Sequence, residues 1–514
     1  QLLSSLLTQF FLYPIIGVLT TALLLTLISL LIADILNHWT ESNLLVPFAL
    51  LPSVALVFLH FNVNYQYAGT VAFLLMSGCI RLHLCFRGFA TRFIYAAGST
   101  LLLFVIAGPV SLLYGCLLLI IELFCNPKQA LAFVLLPLLV FVAGKSGLWL
   151  GLSGDLKHLI LPDGYFTLRL QPGSVIYLPW SLTLLVFLLG GICKVIRIKK
   201  IWIKSVFLSL QFFCVGYFMF FGALKYIDAG NEFFKELNYH ARNSQWDEII
   251  NKCNERPMSN LLYQNYMNVA LAEKGLLADK LFDYPRIDIQ SIYVGGNKTP
   301  YISALLSDIY FSMGHMGFSQ RYAFEANESL GNYSPRMLQR LVQTNLAYGQ
   351  YGTAQKYIIL LSKTLFYKEW AVKNQQFLWN DRAIEQDPVL GAKRRCIFPD
   401  NRFSGYKGLD DDLKQIISHN PSHKTTIQYL GSLYLLSKDI PQFKATLEMF
   451  YDTPALSSVL PVSFQEGVMI FAEEDQQILY HYQIQEATIK RFDSFKQNTL
   501  RNNHTLWHFL KYKN

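Results

Sequence analysis

A basic run between two long apolar segments limits what this chain can fold into more than any other feature. It extends from Lys194 to Lys204, reads KVIRIKKIWIK and carries five cations in eleven residues. The segment after it, Ser205 to Leu224, is apolar and long enough to span a bilayer core, which needs about 20 residues of helix. Cations concentrated between two spans favour a cytoplasmic loop. The last span would then carry everything after Leu224 out of the cytoplasm.

Charge composition divides the chain at the same place. With 52% hydrophobic and 15% charged residues, the 514-residue chain is too apolar for an ordinary soluble protein. Up to Ile227 there are 13 Lys+Arg and 5 Asp+Glu, and the remaining 31 and 30 follow. We therefore predict a transmembrane helical domain over 1–227 and an extracytoplasmic helical domain over 228–514. Because the excess cations lie between spans, we expect membrane lipid as a partner and no nucleic acid.

Eight apolar segments come close to the length of a span. They run over Thr8–Ala33, Leu44–Asn62, Tyr67–Ile80, Phe93–Gly108, Pro109–Phe124, Ala130–Leu150, Val175–Ile192 and Ser205–Leu224. The fourth and fifth could instead form one long helix, or a hairpin turned at Gly108-Pro109, where proline removes a donor. Placing the second basic cluster, Arg81 to Arg92, on the same side as Lys194 needs an even number of crossings. The hairpin supplies four, so we predict the hairpin.

The same counting places Gln1 outside the cytoplasm. A first span missing from before Gln1 would explain this placement, and we prefer that interpretation. The alternative is that Thr8–Ala33 inserts in the opposite direction and one of the short spans is re-entrant.

The second half of the chain shows a helical repeat. Met313-Gly314 to Gly317 matches Tyr348-Gly349 to Gly352 at an offset of 35 residues, and each glycine pair lies between an apolar helix and a second helix. A repeat of this length, made of two helices and a tight turn, resembles the tetratricopeptide repeat (TPR). We predict an irregular TPR-like α-solenoid after the transmembrane bundle, hence an all-α fold. An unrelated helical bundle is the alternative.

The last residues and two cysteines leave alternatives open. The tail from Thr505 to Lys513 is aromatic and basic, which suits either a membrane interface or a final helix packed on the repeat domain. Cys253 and Cys396 lie in the extracytoplasmic domain and could form a disulfide, although sequence alone does not show that they meet.

The loop from Ser153 to Gly173 is the best candidate for chemistry. It carries Asp155, Lys157, His158, Asp163 and Arg169, and faces the compartment of the second domain. A carboxylate beside a cation at the membrane surface could bind a lipid-linked phosphate or act as a general base. Asp155, His158, Asp163 and Arg169 are the candidate catalytic residues, against the alternative of a plain interfacial connector.

Other ionisable residues give weaker signals. Asp34, Glu41 and Glu122 fall near the inner ends of their spans, where we expect water to reach them. The sequence contains no HExxH motif, no cluster of His and Cys with metal-ligand spacing and no GxSxG motif. We therefore expect neither a metal nor a cofactor.

Three stretches carry a resemblance to known proteins: LLTQFFLYPIIG (Leu6–Gly17), LPVSFQEGVMIF (Leu460–Phe471) and TLWHFLKYKN (Thr505–Asn514). With the helical repeats, they resemble a group of uncharacterised multi-span membrane proteins from Bacteroidota. The layout is also similar to C-type mannosyltransferases fused to lumenal TPRs. Those enzymes place an acidic catalytic residue in the first outer loop, which here would precede Gln1, so no residue is carried over.

Two functions follow as hypotheses. The first is a multi-pass protein of the bacterial inner membrane that presents a periplasmic α-solenoid for protein interaction or scaffolding in the cell envelope. The second is a C-type glycosyltransferase-like enzyme that uses a polyprenyl-phosphate-linked sugar, with the solenoid recruiting the acceptor. A lipid-sized cavity beside an acidic pair in an outer loop would favour the enzyme.

Overall fold

The protein folds into two helical units. The computed structural model describes residues 2–512, apart from 152–153, 167–172, 197–199, 259, 285–287, 331–333, 399–404, 406, 474 and 498–503. In the described part, every regular element is a helix, and the only strand-like pairings are two isolated bridges. The units are Gln1–Glu232 (unit 1) and Phe233–Asn514 (unit 2). Each has its own apolar core.

Unit 1 is made of apolar helices. They are α1 (Leu2–Thr8), α2 (Pro14–Thr40), α3 (Leu50–His60), α4 (Ala68–His83), α5 (Phe89–Ala107), α6 (Val110–Cys125), α7 (Pro127–Phe133), α8 (Leu135–Trp149), α9 (Leu156–Ile160), α10 (Leu178–Val195) and α11 (Ile201–Tyr226). Each of the eight apolar segments of the sequence is helical over most of its length. They therefore satisfy their own backbone hydrogen bonds, as lipid requires.

Five helical segments are long and apolar enough to cross a membrane. They are Pro14–Thr40, Phe89–Ala107, Pro127–Trp149, Ser174–Val195 and Ile201–Tyr226. Three of the other predicted segments form shorter apolar helices, Pro47–His60, Ala68–His83 and Val110–Cys125. Unit 1 therefore has the character of a membrane protein.

The chain turns back at Gly108-Pro109, as the charge argument predicted. α5 ends at Ala107, Gly108 adopts a positive φ of 75°, and α6 begins at Val110. The hydroxyls of Ser99 and Tyr114 lie 2.7 Å apart across the turn. In one straight helix their backbones would be about 22 Å apart at 1.5 Å per residue. The hairpin is confirmed, and the single long helix is wrong.

The two basic clusters meet at the same end of unit 1. Arg92 Nη1 lies 3.0 Å from the Glu122 carboxylate near the end of α6, and Lys194 Nζ lies 3.2 Å from Cys125 Sγ at the last residue of that helix. An even number of helix passes therefore separates the two clusters, as the parity argument required.

Unit 2 is made of shorter helices. They are α12 (Ala229–Arg242, which contains the boundary between the units), α13 (Trp246–Asn254), α14 (Leu261–Glu273), α15 (Pro300–Met313), α16 (Met316–Ser329), α17 (Pro335–Ala347), α18 (Tyr351–Ser362), α19 (Lys368–Asn374), α20 (Asp381–Gln386), α21 (Leu390–Arg394), α22 (Leu409–His419), α23 (Lys424–Leu436), α24 (Ile440–Phe450), α25 (Val462–Ala472), α26 (Gln476–His481), α27 (Glu486–Gln497) and α28 (Leu506–Tyr512).

Two helical hairpins in unit 2 have the spacing that the sequence indicated. α17 and α18 begin 35 residues after α15 and α16 respectively. Gly314 and Gly349 make the equivalent turns with φ of 86° and 71°, a left-handed conformation that glycine adopts without a steric penalty. The repeat is therefore a property of the backbone as well as of the sequence.

Later helices fold back on the first ones. The Ser463 amide donates to the Ala278 carbonyl at 3.1 Å, and the Val462 amide donates to the Asp279 carboxylate at 3.0 Å. Thr426 Oγ1, on α23, donates to the Met313 carbonyl at the end of α15. One side of α15 is therefore covered by α23, a later helix of the same unit.

The open questions about the tail and the cysteines have answers in the described residues. Trp507 and Phe509 are buried in the core of unit 2, and Trp507 Nε1 donates to the Glu466 carbonyl at 2.9 Å. The tail is thus a docked helix. Cys253 and Cys396 are both buried free thiols, so no disulfide joins them.

Candidate functional site

Asp163, the central residue of the predicted loop site, is buried and fully occupied by hydrogen bonds. It lies in a short 3₁₀ turn, where Lys157 Nζ contacts Oδ1 at 2.7 Å and the Tyr177 hydroxyl donates to Oδ2 at 2.5 Å. Burial acts to raise the pKa of Asp163, but these two hydrogen bonds outweigh it and hold the pKa below its usual value. The carboxylate is therefore ionised and fixes the loop.

The other loop candidates are dispersed. Asp155 is exposed and caps α9 by accepting a hydrogen bond from the Lys157 amide at 2.9 Å. The ring of His158 has a buried Nδ1 with no hydrogen-bond partner. Arg169 lies outside the described residues. The loop brings Lys157 and Asp163 together, and neither Asp155 nor His158 shares that contact.

A tyrosine of the same loop ties three parts of unit 1 together. The Tyr165 hydroxyl donates to the Ala107 carbonyl at 2.6 Å and accepts from the Val110 amide at 3.1 Å, on either side of the Gly108 turn. Its own carbonyl accepts from the Gln66 amide at 2.8 Å. The part of the loop around Tyr165 is thus bonded to the α3–α4 connection and to the α5–α6 hairpin, and covers this end of the hairpin.

A groove of about 690 Å³ opens beside this cover. It is lined mainly by apolar side chains of α1, α4 and α5, and the other lining residues include Ser4, Gln66, Gly108, Gly164 and Tyr165. The volume lies in the range of small-molecule sites, about 300–1,000 Å³. Asp163 is not among the lining residues, because its carboxylate faces Lys157 and Tyr177.

A buried ionic cluster at the opposite end of unit 1 escaped the sequence analysis. Glu122, expected within reach of water, is 1% exposed; its Oε1 lies 3.0 Å from Arg92 Nη1 and 3.3 Å from His83 Nε2. Asn126 donates to Oε2 at 3.3 Å. The expectation was wrong because α4 and α5 cover the carboxylate. The sequence did contain a signal for this cluster: a polar residue, His83, Arg92 or Glu122, lies at or near the end of each of three successive apolar segments.

Unit 2 contains a second cavity, of about 390 Å³. This acidic cleft lies between the end of α24, the following loop and the end of α26, and is lined by Glu448, Tyr451, Asp452, Ser458, His481, Tyr482 and Gln483. Two carboxylates and three aromatic rings thus face one cavity, and no Lys or Arg is among the lining residues.

Tyr451 organises the cleft. Its hydroxyl lies within hydrogen-bond distance of the Ser458 carbonyl, at 3.2 Å, and of the His481 carbonyl, at 3.0 Å. Its ring meets that of Tyr482 edge-on, with centroids 4.7 Å apart. Burial and, to a lesser degree, the Asp452 carboxylate raise the pKa of Tyr451, so the phenol remains neutral and able to donate.

Two lining residues have unfavourable backbone geometry. Asp452 and Gln483 adopt φ of 54° and 49°, in the left-handed region that costs about 1–2 kcal/mol for residues other than glycine. Such strain persists where surrounding contacts fix the conformation, and it concentrates at functional sites. Three large side chains next in sequence to lining residues are exposed: Met449, Val459 and Tyr480.

No group of three or more His, Cys, Asp or Glu residues in the described part of the chain could hold a metal ion.

Comparison with known families gives a match over almost the whole chain: the model of a family of unknown function, DUF6057, matches residues 1–513. The chain belongs to this family. No curated protein and no solved structure matches it. Because the match runs through both units, a function for DUF6057 has to account for both.

Proposed function

We propose that the protein is anchored in the bacterial inner membrane by unit 1 and presents unit 2 in the periplasm, where unit 2 binds a protein partner of the cell envelope. The acidic cleft carries this proposal, because it combines two carboxylates and three aromatic rings in one cavity, and exposed apolar residues adjoin its lining residues in the chain. In this interpretation unit 2 is an irregular TPR-like α-solenoid, closed by its C-terminal helices.

The orientation rests on charge. Both basic clusters lie at one end of unit 1, which the positive-inside bias assigns to the cytoplasm. α11 begins beside the second cluster and runs for 26 residues, enough to reach the other side of a bilayer. With all eight apolar segments as spans, unit 2 begins outside the cytoplasm.

The cleft favours a partner segment with a Lys or Arg next to an apolar residue. Glu448 and Asp452 would pair with the cation, and the faces of Tyr451 and Tyr482 offer further attraction to it. The apolar neighbour of the cation would pack on the exposed Met449, Val459 or Tyr480. Aromatic anchors with a charged rim are the usual source of binding energy in protein interfaces.

Photo-crosslinking in native membranes tests this proposal. A photoreactive amino acid at Val459 is expected to give a discrete protein adduct whose cross-linked peptide contains Lys or Arg. Val389, also a half-exposed valine of unit 2, is the matched control site. The combined substitution of Glu448→Lys and Asp452→Lys should reduce the Val459 adduct about tenfold, a loss of about 1.4 kcal/mol. An adduct that survives the charge reversal, or equal adducts from both valines, would contradict the proposal.

The groove in unit 1 favours a second candidate, transfer of a sugar from a polyprenyl-phosphate. Its volume and apolar lining suit a lipid chain, and Lys157, half-exposed on the covering loop, could meet a phosphate. The measurement is transfer of a radiolabelled sugar from polyprenyl-phosphate by the purified protein. Val71→Trp, which fills the groove, should abolish transfer, whereas Val389→Trp should not. Undetectable transfer by the wild-type protein would exclude this candidate.

A further inference from the structure

One edge of unit 2, formed by α18 and α19, is both apolar and basic. Lys356, Ile359 and Leu360 of α18 and Lys363, the residue that caps its end, follow the spacing of one helix face. All four side chains are exposed, while Ile358 and Leu361 turn into the core. Two aliphatic side chains flanked by two lysines therefore face solvent along a single stripe, here called the basic edge.

The basic edge continues beyond α18. Leu365 and Val372 are exposed large apolar residues next to it in the chain, and Trp379 follows with 62% of its surface exposed. Trp379 adopts a φ of 54°, a left-handed conformation that is an outlier for a bulky residue. The backbone thus accepts strain at a position where the tryptophan stays mostly exposed and its ring meets that of Tyr351 at the edge of unit 2, with centroids 6.1 Å apart.

The charge of this region is strongly one-sided. Residues 351–382 contain five Lys or Arg and two Asp or Glu, in a second domain that is otherwise almost neutral. All five cations are exposed. Lysines with apolar stems, exposed Leu and Ile, and an interfacial Trp are the composition of surfaces that lie in the headgroup region of a bilayer.

We propose that the basic edge binds the anionic phospholipid surface of the membrane. The inference goes beyond the proposed function, because it uses a different surface and needs no protein partner. Charge complementarity selects the occupant: lysines attract acidic headgroups while the aliphatic residues and Trp379 enter the acyl boundary. Only Ile227 and Asp228 separate α12 from the apolar α11, so a bilayer that holds α11 tethers unit 2 to the same membrane. Weak contacts are sufficient under such tethering.

The test uses the full-length protein in nanodiscs that contain diazirine-tagged phosphatidylglycerol or diazirine-tagged phosphatidylcholine. Illumination is expected to place phosphatidylglycerol adducts within residues 356–379, at least about fivefold above those of phosphatidylcholine. The double variant Lys356→Glu, Lys363→Glu should remove this preference. Lys490→Glu with Lys496→Glu, which makes the same change of charge on α27, should leave it intact.

Two results would overturn the proposal. Equal labelling by the two lipids, or labelling that survives reversal of Lys356 and Lys363, would show that acidic headgroups are not recognised. A cross-link from a photoreactive residue at Leu360 to a second copy or another protein, with no lipid adduct in 356–379, would assign the edge to a protein interface. Neither result depends on the acidic cleft, whose cross-linking site is Val459.

Discussion

Two buried glutamates, one in each unit, show how differently the two halves of the protein treat a charge. Glu122 in unit 1 is 1% exposed and Glu466 in unit 2 is 2% exposed. Glu122 has Arg92 and His83 beside it, both on neighbouring apolar helices. Glu466 has one cation, Arg491 at 3.1 Å, and one backbone donor, the Leu506 amide at 2.9 Å.

The difference reflects what surrounds each carboxylate. Arg92 is mostly buried with Glu122, so water and salt screen the attraction between the two side chains only weakly. The charge of Glu122 therefore has to be balanced by partners within the protein. The Arg491 side chain is 39% exposed, and water weakens its hold on Glu466. Burial therefore raises the pKa of Glu466 to about 7, despite the Leu506 and Arg491 contacts. Unit 1 balances the charge of its buried carboxylate with partners, whereas in unit 2 burial favours the protonated form of Glu466 below about pH 7.

The largest expected effect comes from removing the carboxylate of unit 1. Glu122→Ala leaves Arg92 buried without its partner, and breaking a buried pair in this way costs about 3–5 kcal/mol. The measurement is the free energy of unfolding of the full-length protein in detergent micelles, from a denaturant titration. Asp34→Ala is the control, because Asp34 pairs with Arg81 at the surface and such pairs contribute about 0–1 kcal/mol. Equal losses in the two variants would show that the Glu122 cluster is not a stabilising pair.

A smaller, pH-dependent effect is expected in unit 2. With its pKa raised from 4.5 to about 7, folded Glu466 binds a proton that the unfolded chain releases. The contribution of this proton to the free energy of unfolding is fully present below about pH 4.5 and is lost as the pH rises through 7, a change of about 3 kcal/mol. Glu466→Gln resembles the protonated form and should lose this dependence.

Hydrogen exchange of α25 and α28 in the full-length protein measures this contribution. Protection of the wild type relative to Glu466→Gln should fall between pH 5 and pH 8. A parallel pH dependence in the two proteins would show that Glu466 is ionised throughout, and the contrast with Glu122 would then disappear.

Much of the helical architecture could be predicted from sequence because its signals are local. The proline after Gly108 and the balance of basic clusters predicted the α5–α6 hairpin, and the glycines at 314 and 349 predicted two equivalent turns. The packing of α23 on α14 and α15, and of the start of α25 on the segment after α14, could not be predicted. It depends on contacts such as Ser463 with Ala278, which no periodicity in the sequence records.

The candidate sites were harder to predict from the sequence, because they too depend on contacts between distant parts of the chain. Lys157 and Asp163 were both named among the ionisable residues of the loop, but the burial of Asp163 and its contacts with Lys157 and Tyr177 depend on the three-dimensional path of the loop. The acidic cleft was missed entirely. Glu448 and His481 are 33 positions apart, in segments with ordinary helical composition, and only the turn at Tyr451 brings them to one cavity.

The backward packing of α23 and α25 has a consequence for how the chain is made. α14 and α15 expose the side that α23 covers until synthesis has passed Thr426 and Ser463, more than a hundred residues later. Such long-range closure slows folding, and apolar surface exposed in the meantime favours aggregation. The nascent chain would therefore need protection until this part is made, and truncation before Ser463 should leave a product that cells degrade.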